Sequence, residues 1–322
     1  MPHGGYGHAS QDGTVINSFC MKKKIYIIGA GSVGSATACE LARNGKYTVY
    51  LHDINTGLAL GRVLDISQAV DCSDCIVHSQ EITDIVQADL VIITAGSARQ
   101  KGMSREELFQ KNQRIVGSVV TAIAEQEYSN PILIVTNPSE TLVYAAKKTH
   151  PQLNIFGLGC ILDTWRIKRF IAQTLHSSAD NIQANVIGMH NNSMIPLINR
   201  ASVNGIPVSY LLDEETIARI VERTRYAGTE IVNAIGNHSG FFAAGRAIAD
   251  FSSSILDENY KIYPVSVVCN GEYGFDDVCL ALPAVYHNGT MQIIELELNA
   301  DELELLQACA ERMKTSFQNI TL

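Results

Sequence analysis

The sequence predicts an α/β protein in which a parallel β-sheet is covered by helices on both faces and is followed by a mixed α+β unit. Up to about residue 158, short apolar runs alternate with stretches of helical length, which is typical of strand–helix–strand units. Beyond that point the strand-like segments become shorter and the helical stretches longer. The chain has 322 residues, more than a single hydrophobic core usually contains, and this length also favours two domains.

Apolar runs and helix stops define the elements of the first part. The run before Gly29 predicts the first strand, and Asn44-Gly45 is a typical end for the helix that follows. Strands that are apolar throughout are expected in a parallel sheet buried on both faces. Strands are predicted at Lys24–Ile28, Thr48–Leu51, Ala88–Thr94 and Ile132–Thr136, and helices at Ser35–Arg43, Ala59–Val70 and Glu106–Gln126.

The second part mixes long helices with short strands. Asn288-Gly289 is a strong signal for a hairpin turn after the last strand. We expect a tag-like or disordered extension at residues 1–20, a first domain at 21–158 and a mixed α+β domain at 159–322. Helices are predicted at Asp163–Leu175, Glu214–Ile235 and Ala300–Gln318, and strands at Asn185–Ile187, Ser202–Val208, Val265–Val268 and Cys279–Ala284.

Composition and charge argue against several classes of function. The formal net charge is −9 with no basic stripe, so we expect neither nucleic-acid binding nor attachment to an anionic membrane. No apolar run reaches the roughly 20 residues that span a bilayer, and residues 1–20 lack the apolar core of a secretory signal. The chain is 46% hydrophobic and 18% charged, which is ordinary for a globular protein, and we expect it in the cytoplasm.

Eight cysteines are scattered along the chain and do not form the dense pattern of a disulfide-rich scaffold. Cys72 and Cys75 make a Cys-x-x-Cys motif, but the sequence nearby lacks the second pair that a zinc site needs. We expect both to be reduced, inert thiols, with a redox role as the less favoured interpretation. We expect no metal.

The segment Gly29-Ala30-Gly31-Ser32-Val33-Gly34 matches the pattern G-x-G-x-x-G. By itself this pattern is a weak signal, but here it follows a predicted strand and opens a helix, and Asp53 falls at the end of the second strand. That context is the dinucleotide-binding fingerprint of a Rossmann-type doubly wound sheet, with the pyrophosphate at the helix N-terminus. Asp53 would accept hydrogen bonds from the ribose hydroxyls and repel a 2′-phosphate, which predicts NAD rather than NADP. Cofactor binding is expected at Gly29, Gly31, Ser32, Val33, Gly34 and Asp53.

Hydride exchange with a 2-oxo acid needs a proton donor near the carbonyl oxygen, a planar cation for the carboxylate and positive charge where the alkoxide develops. His190 follows a predicted strand and is a candidate proton donor. Asp163 and Arg166 share one helix face, and Arg99 and Arg105 lie in the segment after the third predicted strand. Taken singly, each of these residues is more often structural than catalytic.

Taken in order, these motifs resemble those of the malate/lactate dehydrogenase family. The resemblance covers the chain from Lys22 onward, and an ordered set of motifs at suitable spacing is far more specific than any one of them. Besides the glycine-rich segment and Asp53, it includes Thr94-Ala95-Gly96, Arg99 to Arg105, Thr136-Asn137-Pro138, Leu162-Asp163-Thr164 with Arg166, Ile187-Gly188 with His190, Gly271-Glu272-Tyr273-Gly274 and Leu282-Pro283-Ala284-Val285.

The resemblance implies an NAD-dependent dehydrogenase of L-2-hydroxy acids, in which His190 gives a proton to the carbonyl oxygen and Asp163 orients its imidazole. Arg166 would hold the substrate carboxylate through a bidentate pair, and Arg105, on a mobile loop, would polarise the carbonyl. Asn137 would contact nicotinamide or substrate, and the family implies a homodimer or homotetramer. Further cofactor contacts are implied for Thr94, Ala95, Gly96 and Asn112.

The sequence leaves the identity of the 2-oxo acid open. Arg99 lies six positions before Arg105, where the family places arginine in malate enzymes, and this favours malate and oxaloacetate. If the loop has lost one residue, Gln100 takes that place and lactate and pyruvate are favoured instead. Gly240 stands where a small hydroxyl residue often lines the pocket, and it favours a bulkier 2-oxo acid.

The residues around His190 depart from the family pattern. Where Gly-Glu-His-Gly-Asp-Ser is usual, this chain has Gly188-Met189-His190-Asn191-Asn192-Ser193, and we expect Asn191 to hold the turn of the usual glycine with a left-handed backbone. Ser139-Glu140 follows Asn137-Pro138, where Val-Asp is common. The changes around His190 motivate a competing interpretation, a non-catalytic NAD-binding protein, although the ionic catalytic positions are all filled.

Overall fold

The computed structural model describes residues 22–97, 105–236 and 239–318, and the structural statements below concern these ranges. The strands, numbered in chain order, are β1 (Lys23–Ile28), β2 (Tyr47–His52), β3 (Ile76–His78), β4 (Leu90–Ile93), β5 (Ile132–Ile134), β6 (Ile155–Gly157), β7 (Ile182–Gln183), β8 (Val186–Ile187), β9 (Ile195–Pro196), β10 (Ser202–Val203), β11 (Ile206–Pro207), β12 (Ile262–Asn270), β13 (Asp276–His287) and β14 (Thr290–Ile293). The α-helices are α1 (Ser32–Arg43), α2 (Thr56–Gln68), α3 (Arg105–Ala124), α4 (Ser139–Thr149), α5 (Ile161–Thr174), α6 (Glu214–Ile235), α7 (Phe242–Leu256) and α8 (Ala300–Gln318).

One large sheet runs through the molecule in the order β14-β13-β12-β6-β5-β4-β1-β2-β3. The strands from β6 to β3 are parallel, whereas β12, β13 and β14 join them antiparallel. Chain order reverses between β1 and β4, and sheets of this kind bind ligands at such a switch, outside the carboxyl ends of the strands. Gly29 after β1, Asp53 after β2 and Thr94 after β4 therefore lie along one edge.

The C-terminal strands continue this sheet instead of forming a separate one. β12 joins the last parallel strand, β6, through the pair Ser266 and Gly157. Gly157 has to be small, because a Cβ there would lie 2.5 Å from Ser139 Oγ and 2.9 Å from the Cβ of Ser266. Smaller sheets, β8 with β9 and β7 with β10 and β11, complete the second half. The division of the chain into domains at residue 158 stays a prediction.

The parallel strands are buried on both faces, as their continuous apolar character predicts. Ile25, Ile27 and Ile92 have no exposed surface. α1 and α7 pack so closely that a Cβ at Gly245 would lie 2.7 Å from that of Ala36, so the second half of the chain also covers the first helix. No helix in the described ranges is both long and apolar enough to cross a membrane.

Most predicted elements are present, with their ends shifted by a few residues. α6 and α8 have the predicted bounds, and the hairpin at Asn288-Gly289 joins β13 to β14, with φ of 49° and 78° at the two turn residues. The single strand expected over Ser202–Val208 is wrong, because a turn at Asn204-Gly205 divides it into β10 and β11. The sequence does not predict β3, β6, α4 or α7. The two strands are three residues long, and the two helices are buried over most of their surface.

The expectation that Cys72 and Cys75 are free thiols is wrong. The segment after α2 brings their Cα atoms to 5.5 Å, within the range that a disulfide requires, and the two sulfurs are bonded at 2.10 Å. Lys22 Nζ lies 2.9 Å from Cys72 Sγ and 2.7 Å from the carboxylate of Asp74. The motif therefore closes a small loop at the edge of the sheet, next to β3.

Candidate active site

The turn between β1 and α1 requires glycine at the first and third glycine positions of the G-x-G-x-x-G pattern. Gly29 has φ of 114°, and a Cβ there would lie 2.6 Å from the backbone nitrogen of Ala95. A Cβ at Gly34 would overlap the carbonyl oxygen of Gly29. The first glycine thus lets the chain turn against the segment after β4, and the third lets α1 pack against the turn.

The second glycine faces open space. Nothing lies within 4 Å of the position that a Cβ would take at Gly31, the N-cap of α1. The cap carries no side-chain hydrogen bond, and the first turn of α1 contains no acidic residue. The N–H groups of Ser32, Val33 and Gly34 therefore keep the positive end of the helix dipole uncompensated, and an open cradle of this kind fits the pyrophosphate of a dinucleotide.

Asp53 lies beside this turn, half-buried, at the end of β2. Its Oδ2 accepts a hydrogen bond of 2.7 Å from the backbone N–H of Ala30, and its Oδ1 accepts one of 2.8 Å from Asn55. Both bonds hold the carboxylate at the edge of the cradle. A fixed negative charge at this point fits ribose hydroxyls and disfavours a 2′-phosphate.

The segment after β4 forms the opposite wall of the cradle. Thr94 Oγ1 donates to the carbonyl oxygen of Gly29 at 2.9 Å, and Thr136 Oγ1 donates to that of Ala95 at 2.7 Å. Gly96 is packed so tightly that a Cβ there would overlap Thr136 Cγ2. Both the backbone of Thr94 and Ala95 and the hydroxyl of Thr94 therefore lie against the glycine-rich turn.

Asn112 of α3 cross-links two loops of the site. Its amide donates to the carbonyl oxygens of Ser97 at 3.2 Å and Asn137 at 2.7 Å, and its oxygen accepts from the N–H of Ser97 at 2.7 Å. Only 1% of Asn112 is exposed. The structure therefore places this predicted cofactor contact behind the site, while the side chain of Asn137, after β5, is exposed at its edge.

Three predicted catalytic residues come together although they are far apart in sequence. Asp163 has no exposed surface, and its Oδ2 lies 2.5 Å from Nδ1 of His190 while its Oδ1 accepts from Nη1 of Arg166 at 2.9 Å. The side chains of His190 and Arg166 are 25% and 18% exposed. Because the carboxylate accepts from Nδ1, that nitrogen carries the hydrogen, and Nε2 is left for a substrate.

Asp163 and His190 are positioned by different local features. Asp163 lies in the first turn of α5, where a negative charge is stabilised by the helix dipole. Gly188 exchanges two backbone hydrogen bonds with Ala281 of β13, at 2.7 and 2.8 Å, which fixes the chain just before His190.

The prediction of a left-handed backbone at Asn191 is wrong. Asn191 instead uses its side-chain oxygen to accept from the N–H of Ser193 at 2.8 Å, which makes a local turn.

Electrostatics inside the cluster favour the charged form of both partners. The carboxylate of Asp163 raises the pKa of His190 above its ordinary value of 6.5 against the opposing effect of burial; Glu140 adds to the rise and Arg166 reduces it. Burial alone would raise the pKa of Asp163, but His190 and Arg166 outweigh it and hold that pKa below its ordinary value. The pair therefore favours the protonated form of His190 and the ionised form of Asp163.

The remaining predicted residues lie wholly or partly outside the described ranges. Arg99 and Gln100 fall in residues 98–104. Arg105 is the first residue of α3, and the structure describes its backbone but not its side chain.

Gly240 lies within the described ranges. A Cβ there would lie 3.0 Å from Ile231 Cγ2, so the extra room expected beside Gly240 is bounded by α6.

Two residues near the cluster were not singled out by their sequence. Gly228 of α6 faces Arg166, because a Cβ there would lie 3.8 Å from both terminal guanidinium nitrogens. Glu140, 3% exposed, accepts a hydrogen bond from the backbone N–H of His190. The only sequence signal for Glu140 is the unusual Ser139-Glu140 after Asn137-Pro138.

The dinucleotide cradle lies at the carboxyl ends of β1, β2 and β4, and the backbone N–H of His190 contacts Glu140, which follows β5 at the same edge of the sheet. A cofactor cradle and a carboxylate-bound histidine near one sheet edge are what hydride and proton exchange requires, and they define an NAD-dependent oxidoreductase. The chain belongs to the lactate/malate dehydrogenase family. The model of the family's NAD binding domain matches residues 23–157, and that of its alpha/beta C-terminal domain matches residues 160–321. The predicted family, fold class and NAD cofactor are confirmed, and the chain is a 2-hydroxy acid dehydrogenase rather than a non-catalytic NAD-binding protein.

Relatives and solved structures agree with this assignment. The malate dehydrogenase of Methanosarcina acetivorans is 38% identical over 303 residues, which are 92% of this chain and 99% of that protein. The apo structure of the malate dehydrogenase from Picrophilus torridus is 36% identical, with a TM-score of 0.85 over 92% of this chain and 96% of that one. The lactate dehydrogenase of Cryptosporidium parvum, complexed with lactic acid and NAD, is 28% identical, with a TM-score of 0.87 over 93% and 99% of the two chains.

Alanine substitutions at the second and third glycines of the cradle should affect different properties, cofactor binding and stability respectively. Gly34→Ala forces a methyl group against the Gly29 carbonyl and should lower the free energy of unfolding by about 3 kcal/mol. Gly31→Ala, at φ of −66° and in open space, should cost less than about 1 kcal/mol but weaken NADH binding at least about tenfold. Urea unfolding and NADH fluorescence titration measure the two effects, and equal NADH affinity in Gly31→Ala and wild type would contradict the assignment of this surface to the pyrophosphate.

His190 should make stability depend on pH in a defined direction. Its pKa is raised on folding, so its contribution to the free energy of unfolding is complete below about pH 6.5 and is lost as pH rises through the higher folded value. The free-energy difference between wild type and His190→Asn should therefore shrink from pH 6 to pH 9. Urea unfolding followed by the fluorescence of Trp165, the one tryptophan, measures this difference. A difference that grows with pH would show that the imidazole is neutral in the folded protein.

Proposed function

We propose that the protein interconverts malate and oxaloacetate with NAD. The observation that carries the proposal is the buried Asp163 carboxylate, which holds His190 through Nδ1 and Arg166 through Nη1 in the half of the chain that follows the NAD binding domain. Relatives that are 35–38% identical to this chain are malate dehydrogenases, which supports malate and oxaloacetate as the substrates. Arg99 supplies the cation that a second carboxylate needs.

Bound NADH supplies the hydride for the reduction of the oxo acid. In that direction His190, protonated because Asp163 stabilises the imidazolium, donates the proton of Nε2 to the oxygen that becomes the hydroxyl. Among the described residues Arg166 bonds only Asp163, so its other N–H groups are left to bind the substrate carboxylate. In the oxidation direction the neutral His190 accepts the proton, and Asp163 remains ionised throughout.

The other site residues complete the proposal. Arg105 would polarise the carbonyl, Arg99 would pair with the second carboxylate of oxaloacetate, and Asn137 would contact nicotinamide or substrate from the end of β5. Asn112 would act by holding Asn137 and the loop after β4 in place, since its own amide is used by backbone groups.

Two substrates remain as alternatives. Gln100 in place of Arg99 would favour pyruvate, and solved lactate dehydrogenases share the fold at TM-scores of 0.86 to 0.87. A bulkier oxo acid is less favoured, because Ile231 borders the space beside Gly240.

We also propose that the protein acts as a homodimer or homotetramer. Leu60 and Leu64 on α2 are 44% and 53% exposed, and Phe242 at the start of α7 is 78% exposed. A second copy that covered these side chains would remove apolar surface from water. The cytoplasmic location stays a prediction.

Oxaloacetate should be reduced at least about tenfold faster than pyruvate or 2-oxoisocaproate, in kcat/KM, because a closed site with an unpaired arginine disfavours a monocarboxylate. The measurement is the loss of NADH absorbance at equal substrate concentrations. Faster turnover of pyruvate would assign the specificity position to Gln100, and no turnover of any of the three would refute the proposed activity.

His190→Asn should bind NADH with unchanged affinity but lose at least about 100-fold in kcat, because asparagine keeps a hydrogen bond to Asp163 and cannot transfer a proton. Stopped-flow turnover and NADH titration on the same preparation separate the two effects. Activity within threefold of wild type would place the proton donor elsewhere.

A further inference from the structure

Glu140 is a buried acid that the mechanism described so far does not use. It is the second residue of α4 and only 3% of it is exposed. Its Oε1 accepts from the backbone N–H of His190 at 3.2 Å and from Oγ of Ser266 at 3.0 Å. A single carboxylate oxygen therefore connects α4, the turn that carries the catalytic histidine, and β12.

The surroundings of Glu140 suit a negative charge. α4 begins after Pro138 with no side-chain cap, so its first turn offers N–H groups and the positive end of the helix dipole. Lys147 and Lys148 are at the other end of the helix and do not compete for this carboxylate. Burial of an acid is costly unless donors meet it, and here two donors from separate elements do so.

We propose that Glu140 is a positioning residue for His190, which fixes the histidine backbone through its N–H and places a second negative charge behind the imidazole. The proposal rests on the proposed function, in which His190 is the proton donor. Asp163 holds the ring itself through Nδ1, whereas Glu140 holds the main chain from which the ring projects. The two carboxylates thus approach one histidine from α5 and from α4.

The charges around His190 act in both directions. Asp163 has the largest effect and favours the imidazolium, Glu140 adds to it, and burial and Arg166 oppose it. The thiols that face this region belong to Cys160, Cys279 of β13 and Cys309 of α8. Burial raises the pKa of each, so they are neutral and add no charge.

Glu140→Gln removes the negative charge but keeps a side-chain oxygen that can accept hydrogen bonds from His190 and Ser266. The variant therefore tests the charge separately from the hydrogen bonds. The pKa of His190 should fall by roughly half a unit to one unit. It is measured by NMR titration of the histidine rings in the free protein, with the signal assigned by its loss in His190→Asn. The pH at which oxaloacetate reduction declines should fall by the same amount, with a threefold to tenfold lower rate at pH 8.

Two further variants make the result specific to the charge beside His190. Glu140→Asp keeps the charge and should keep the His190 pKa within about 0.3 units of wild type, while its shorter side chain weakens the backbone contact and lowers kcat. Glu302→Gln is the matched control. Glu302 is also a buried glutamate in a first helical turn, and it accepts from the backbone of Asn299, away from His190. It should lower stability and leave the His190 pKa unchanged.

The proposal is overturned if His190 titrates identically in wild type and Glu140→Gln, or if Glu302→Gln shifts it equally. If Glu140→Gln does not fold, a kcat in Glu140→Asp equal to that of wild type would overturn it, because the shorter side chain weakens the contact with the N–H of His190. The ring titration needs no turnover, so an inactive wild-type enzyme would refute the proposed function while the titration still decides the role of Glu140.

Discussion

The buried carboxylate of Asp163 is the interaction on which the rest of the site depends. It has no exposed surface, and each of its oxygens binds one cationic partner, His190 or Arg166. An ionised carboxylate in the interior is stable only while both partners stay in place. α5 and the turn after β8 therefore have to keep a fixed relative position. The same pairing favours the protonated form of His190 and fixes one side of the Arg166 guanidinium.

The continuous sheet provides that fixed position. β13 holds the chain before His190 through the paired bonds of Gly188 and Ala281, and β12 contributes Ser266 to the carboxylate of Glu140. Both strands extend the same sheet whose parallel half carries the cofactor cradle. Cradle and histidine are thus attached to one scaffold, so the distance between the nicotinamide site and the proton donor does not depend on a flexible linker between domains.

The sequence predicts well what depends on neighbouring residues. The strand, turn and helix around Gly29, the ends of α6 and α8, and the Asn288-Gly289 hairpin all follow from local pattern. The sequence predicts an element poorly where tertiary contacts bury most of it. An example is α4, which is buried over most of its surface. Asn191 takes a side-chain turn instead of a left-handed backbone, and Cys72 meets Cys75, because loop geometry is decided by what packs beside it.

The sequence by itself determined the family, the cofactor and the residue types of the chemistry, since glycines at a helix start and an acid after the second strand act through local backbone geometry. Only the tertiary structure brought Asp163 of α5 to His190 after β8 and placed Glu140 of α4 behind that histidine. The physical reason is that the sequence does not specify the surroundings of a histidine side chain. Its proton affinity depends on charges and burial that the fold brings together from distant segments.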